Sequence, residues 1–207
     1  MKQFNDEFKS KLYETIADIE NNSQVEIVAI FRSSSGKYRD VSLWAALAFM
    51  FAASSFFMFS PIEFDIYMIW LFTFVSFIFA YFLMEVLKPL KRVFVSKKRM
   101  KRHADLYGRA IFQKGGIRFT SEKIGVLIYL SEFERKVVII PDRGACTLVP
   151  DDYWNQFENG FSSVFKERNI AEAFINELKK TKKIFSEYIL PVENDINELP
   201  DDLEITI

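Results

Sequence analysis

Two apolar runs, Val41 to Phe59 and Ile66 to Val86, interrupt a chain that is otherwise polar in character. Each is about the 20 residues that an α-helix needs to cross the hydrocarbon core of a bilayer. The first run carries no charge, and the second carries only Glu85, near its far end. Between them stands SPIEFD, a short segment with a proline that can only turn the chain back. The sequence therefore predicts an antiparallel transmembrane hairpin with spans at 41–59 and 66–86.

The flanking charges predict its orientation. The turn holds Glu63 and Asp65 and neither Lys nor Arg. Arg32, Lys37 and Arg39 precede the first span, and a basic run from Lys88 to Arg102 follows the second. Lys and Arg near span ends stay on the cytoplasmic side. Both termini are thus expected in the cytosol, with the protein in the cytoplasmic (inner) membrane. Trp44 and Tyr81 near one interface and Tyr67 and Trp70 near the other fit aromatic belts. Ala48 with Ala52, and Ser76 with Ala80, have the four-residue spacing that lets helices approach closely. No ionisable group sits mid-span, which argues against a channel or transporter built from the hairpin alone. Lys88, one turn after Glu85, is its expected ion-pair partner.

The remaining residues are enough for one ordinary domain. The N-terminus, MKQFNDEFKSKLYETI, lacks the apolar core and cleavage site of a signal peptide. Cys146 is the single cysteine, so no internal disulfide is expected. Phe4, Phe8, Leu12, Ile16 and Ile19 recur every three or four residues and predict an amphipathic helix over 4–20. VEIVAIF, 25–31, predicts a buried strand. After the basic run come a helix over 104–112, a strand over 124–130, a turn over 131–134 and a strand over 136–140. Helices are expected over 151–168 and 171–188. The short turn makes the second and third strands an antiparallel pair. A helix between the first and second makes those two parallel neighbours. The organisation read from the sequence is a single α/β domain with a mixed sheet, split by the hairpin. Its cytoplasmic parts are 1–40 and 104–190. Residues 41–86 form the hairpin, 87–103 a basic juxtamembrane segment and 191–207 an acidic flexible tail.

The runs KLYETIADIENNSQVEIVAIF and GVLIYLSEFERKVVIIPDRGA resemble the opening helix and strand, and the strand–turn–strand segment, of the TPM domain family. The features that carry the resemblance are Gly125, Val126, Leu127, Glu134, Arg135, Asp142 and Gly144. It covers about 1–40 and 104–180, and is closest to bacterial members in which a membrane hairpin divides the domain. The resemblance implies an α/β, three-layer sandwich-like fold with a mixed sheet. It also implies two functional expectations, since some plant members are acid phosphatases and others are accessory proteins of membrane complexes.

The residues themselves offer limited chemistry. His103 is the single histidine and stands in a run of cations, so it reads as a solvated residue rather than a catalytic base. Ser131 lacks the glycines of a nucleophile elbow. Cys146 has no electropositive setting, and Gly115-Gly116 is not followed by Lys and Ser or Thr as a phosphate loop requires. Asp142 at a strand end, Asp151 and Asp152 at a helix start, and Glu26 on the first strand are candidate oxygen ligands for Ca²⁺ or Mg²⁺. A metal there would polarise a phosphate ester. The plainer reading makes the aspartates caps and pairs Glu26 with Arg135.

Lys97, Lys98, Arg99, Lys101 and Arg102 follow a span directly and are candidate contacts for anionic lipid headgroups. This placement favours a membrane surface over nucleic acid. The acidic tail is a candidate competitor for the same cations. The expected function is an accessory, assembly or quality-control factor with the membrane, anionic lipids and other membrane proteins as partners and no nucleic acid. A metal-dependent phosphatase and a lipid-surface sensor are the alternatives.

Overall fold

A computed structural model describes residues 3–117, 120, 122–191 and 205–206. The chain divides into two compact units, one of Met1–Ser35 with Lys101–Ile207 and one of Gly36–Met100.

The first unit is built on a sheet of β1 (Glu26–Arg32), β2 (Gly125–Ser131), β3 (Lys136–Pro141) and the two-residue β4 (Ile205–Thr206), in the order β3-β2-β1-β4. β1 runs parallel to β2, with Glu26 opposite Gly125 and Arg32 opposite Ser131. β2 and β3 form the antiparallel pair that the short turn predicts. The rest of the acidic tail, 192–204, lies outside the described residues.

Side chains alternate across these strands, so each face gathers its own core. Ile27, Ala29, Phe31, Val126, Ile128 and Leu130 face one side. Helices α1 (Asp6–Glu20), α7 (Asp151–Ser163) and α8 (Ile170–Tyr188) cover them. Phe8, Phe31 and Phe174 meet there edge to face, at ring separations of 5.3 and 4.9 Å. Ile30, Leu127 and Tyr129 face the other side, against Ala104, Tyr107 and Ile111 of α5 (Lys97–Lys114). Helix, sheet and helix make three layers, as the α/β reading expects.

Several boundaries differ from the sequence reading, each for a local reason. The basic juxtamembrane segment, 87–103, is mostly helical. Lys97 to His103 is the first part of α5, because Lys and Arg are good helix formers. A short helix, α6 (Arg143–Leu148), follows β3 and is capped by Asp142. It is too brief to show a periodic apolar pattern. α7 ends at Ser163, and a 3₁₀ turn over Val164–Lys166 replaces its expected last turns.

The second unit contains α2 (Arg39–Phe59) and α3 (Ile66–Val86), each 21 residues and apolar enough to cross a membrane. Ser42 and Ala46 of α2 and Ala80 and Met84 of α3 are buried. Ser54 and Thr73 hydrogen-bond at 2.9 Å, and Phe57 stacks on Phe72. Ala48 and Ala52 are exposed, contrary to the spacing argument. The packed stripe of α2 is the one through Ser42, Ala46 and Ser54, a different set of small residues. A break at Leu87 (φ −86°, ψ 69°) separates α3 from α4 (Lys88–Phe94).

Candidate functional site

The densest buried polar cluster of the first unit sits where β1 and β2 end. Carboxyl ends of parallel strands are where α/β folds commonly place their sites. On the α5 face, Arg32 ends β1 and lies opposite Ser131 in register. Tyr129, two residues before Ser131, points the same way and is fully buried, as Ser131 is. The turn beyond β2 brings back Glu134, which is 3% exposed.

Glu134 gathers the neighbourhood. Its Oε1 accepts from the Ser35 backbone N–H at 3.0 Å and the Ser34 hydroxyl at 3.3 Å. Its Oε2 accepts from the Ser131 hydroxyl. Ser35 Oγ donates to Ser131 Oγ at 2.8 Å and stands 2.7 Å from the Tyr129 hydroxyl. A buried carboxylate is tolerated only when its oxygens are bonded in this way. Backbone bonds fasten the same seam, from Glu132 N–H to Arg32 O at 2.9 Å and from Phe133 N–H to Ser33 O at 3.0 Å. Arg135 closes the turn in the left-handed region at φ 48°, at about 1 kcal/mol of strain. Burial raises the Tyr129 phenol above its ordinary pKa, against smaller lowering contributions from Ser35 and Ser131. The Arg32 guanidinium lies 4.8 Å from the centre of the Tyr107 ring, on the same face.

Chemically, this cluster is a chain of hydroxyls ending on a carboxylate. It ties the segment before the hairpin, Ser34–Ser35, to the segment after it. Glu134 was legible as a motif residue, but Ser35, Tyr129 and Arg32 were not. The available signal was a Tyr and a Ser two apart on one face of an otherwise apolar strand.

The other motif residues hold backbone. A Cβ on Gly125 would stand 2.5 Å from the Ile117 carbonyl oxygen, and one on Gly144 would stand 2.4 Å from that of Glu122. Both glycines therefore admit a close strand of main chain. Gly144 N–H also donates to Lys123 O at 2.8 Å. Asp142 caps α6 by accepting from Arg143 N–H at 2.7 Å, while its Oδ2 is buried without a hydrogen-bond partner.

The four candidate metal ligands are not gathered into a site. Among the described residues, no group of three or more His, Cys, Asp or Glu side chains could hold an ion. Asp142 caps α6, Asp151 and Asp152 occupy the exposed first turn of α7, and Glu26 is buried on β1. Asp151 and Asp142 do share a neighbour in Cys146. Cys146 is exposed, yet partial desolvation first, and then these two negative charges, push its thiol above its ordinary pKa. Its Sγ lies 3.9 Å from Pro141 O.

The basic residues divide into two kinds. Lys97, Lys98, Lys101 and Arg102 are exposed. Arg99 instead grips Asp40 with both arms, at 2.6 and 2.8 Å, and lies over the Tyr38 ring at 5.2 Å. The partner of Glu85 is not Lys88. The break at Leu87 turns the chain, so that Lys91 reaches Glu85 at 2.8 Å and becomes 5% exposed. Ser42 donates to the same Glu85 oxygen at 2.7 Å.

Comparison with known proteins gives two findings. Residues 92–184 match the model of the TPM domain family. The fold resembles the NMR structure of BA42 protein from the psychrophilic bacterium Bizionia argentinensis, with a TM-score of 0.59 and 17% identity over 98% of this chain and 94% of that one. No curated protein matches the chain.

Proposed function

Because residues 92–184 match the model of the TPM domain family, we propose that this chain is a membrane-anchored accessory factor for other membrane proteins. The observation that carries the reading is the outer surface of α2 and α3. Trp44 is 70% exposed, Phe51 73%, Phe59 83% and Tyr67 79%. Two helices that turn their largest apolar side chains outward have lipid as their natural solvent. The Lys and Arg residues beside both helices support a cytoplasmic side for residues 92–184. An anchored domain meets other membrane proteins in two dimensions rather than three.

The interior of the domain supports a binding role over a catalytic one. Glu134 spends both oxygens on hydrogen bonds that hold the fold. The Cys146 thiol is biased towards its protonated, unreactive form.

The first test is topology. In a Cys146→Ser background, Glu63→Cys is expected to react with an impermeant maleimide in intact cells, and Glu158→Cys only after lysis. The opposite pattern would invert the orientation. The second test is association. Cross-linking in intact membranes followed by mild extraction should recover a stoichiometric membrane protein. A clean monomer or homo-oligomer would overturn the accessory reading.

One observation favours a second reading, a metal-assisted phosphatase. Asp142 Oδ2 is buried without a hydrogen-bond partner, and a divalent cation would satisfy it. A rise in thermal stability with Ca²⁺ or Mg²⁺ that Asp142→Asn abolishes would support this reading. No shift with either ion would remove it.

A further inference from the structure

α4 is too short to span a bilayer, yet it is strongly two-sided. Within α4, Leu90 and Phe94 stand four residues apart, with Val93 beside them. They share one face of the helix. Lys88, Lys91 and Arg92 take the other. Leu90 is 39% exposed, Phe94 61% and Val93 79%.

Lys91 fixes how this helix is rotated. Its ammonium pairs with Glu85 at 2.8 Å and approaches Lys37 O at 3.4 Å, so it faces the base of α2 and α3. The neighbouring apolar face is left open. In the chain it follows α3 directly, through Leu87 at 41% exposed, and on α3 Phe79 is 56% exposed, Phe82 67% and Val86 58%. Lys88 precedes this face and the exposed Lys97 and Lys98 follow it.

We infer that α4 is a third membrane element, an in-plane helix seated at the boundary between headgroups and acyl chains of an anionic leaflet. Its Leu90, Val93 and Phe94 enter the acyl boundary, while Lys88, Lys97 and Lys98 meet lipid phosphates. A helix with bulky apolar residues on one face and cations on the other partitions in this way. Its place in the chain directly after α3, between exposed lysines, names the occupant as the bilayer that receives the spans. The inference rests on the membrane reading above.

The test uses the full-length chain in vesicles, with Cys146→Ser and one nitroxide label per sample. The labels replace Val93→Cys on α4, Ile78→Cys on α3 and Glu158→Cys on α7. Ile78 is 65% exposed and Val93 79%, so neither label disturbs a packed core. Relaxation by oxygen, which concentrates in lipid, is compared with relaxation by a water-soluble nickel complex. The oxygen-to-nickel ratio at residue 93 should exceed that at residue 158 by about fivefold or more, as expected for an interfacial seat. A residue-93 ratio equal to that of residue 158, with residue 78 still lipid-shielded, overturns the inference alone. Nickel access at residue 78 overturns the membrane reading and this inference together. The ratio at residue 93 should also rise when phosphatidylglycerol is added to phosphatidylcholine. An unchanged ratio overturns the anionic preference.

Discussion

Arg99 and Asp40 form a two-pronged ion pair, with Nη1 to Oδ2 at 2.6 Å and Nη2 to Oδ1 at 2.8 Å. It joins the start of α2 to the start of α5, and it withdraws one cation from the basic run.

This pair should contribute modestly and in a salt-dependent way. Its side chains are 39% and 51% exposed, so screening limits a double-mutant coupling between Asp40→Asn and Arg99→Gln to about 0.5–1 kcal/mol. The coupling should shrink as NaCl shortens the Debye length. Arg99→Lys should recover little of it, because an ammonium cannot reproduce the forked contact. Thermal melts of the four variants at low and high salt measure this directly.

Three glycines should respond to alanine with opposite signs. At Gly125 and Gly144 the new methyl meets backbone oxygen at 2.5 and 2.4 Å, which cannot rotate away. Each substitution should cost about 1–3 kcal/mol, or about 2–12 °C in Tm for a chain of this size. At Gly108, inside α5, the nearest atoms are side-chain carbons at 3.5 Å. There the helix should gain about 0.5–1 kcal/mol. Equal losses at all three positions would contradict the close-approach argument.

Glycines of this kind show where sequence reading succeeds and where it stops. The strands were legible because VEIVAIF, GVLIYL and KVVII are apolar, β-rich runs between turn signals, and their pairing followed from connection lengths. The two long apolar helices were legible from their length and composition. The Ser35–Tyr129–Ser131–Glu134 cluster was not, because its members lie up to 99 residues apart and meet only through the parallel register. The Lys91 partner of Glu85 was hidden for a different reason. Helix spacing favours Lys88, and only the backbone break at Leu87 redirects the chain.

Alkaline pH should loosen the domain through Tyr129. Burial raises its folded-state pKa above the ordinary 10.0. The folded state then holds the phenolic proton more tightly than the unfolded chain does. Its contribution is complete below about pH 10 and is lost as pH rises through the folded pKa. Tyr188, hydrogen-bonded to Tyr153, is also pushed up to about 12 and acts with the same sign. The diagnostic quantity is therefore the difference between Tyr129→Phe and the parent. The variant should lose about 1 kcal/mol at neutral pH with its hydrogen bond, and lose less than the parent between neutral and strongly alkaline pH. Parallel stability curves would place the alkaline sensitivity elsewhere.

Cys146 should alkylate slowly. Although the residue is exposed, partial desolvation and the charges of Asp151 and Asp142 raise its pKa above the ordinary 9.0, so the thiolate is scarce near neutral pH. Iodoacetamide rates should climb only at distinctly alkaline pH. Asp151→Asn and Asp142→Asn should each speed the reaction at pH 8, whereas Asp152→Asn should not. Fast labelling of the parent at pH 7 would contradict this setting.

The parallel pairing of Glu26 with Gly125 and Arg32 with Ser131 joins strands roughly 100 residues apart. At about 5–20 residues per second, β1 emerges from the ribosome some 5–20 s before the strand that completes it. Both long apolar helices are synthesised within that interval. The order of synthesis therefore makes the pairing of β1 with β2 a late event, reached only after both long apolar helices have already left the ribosome.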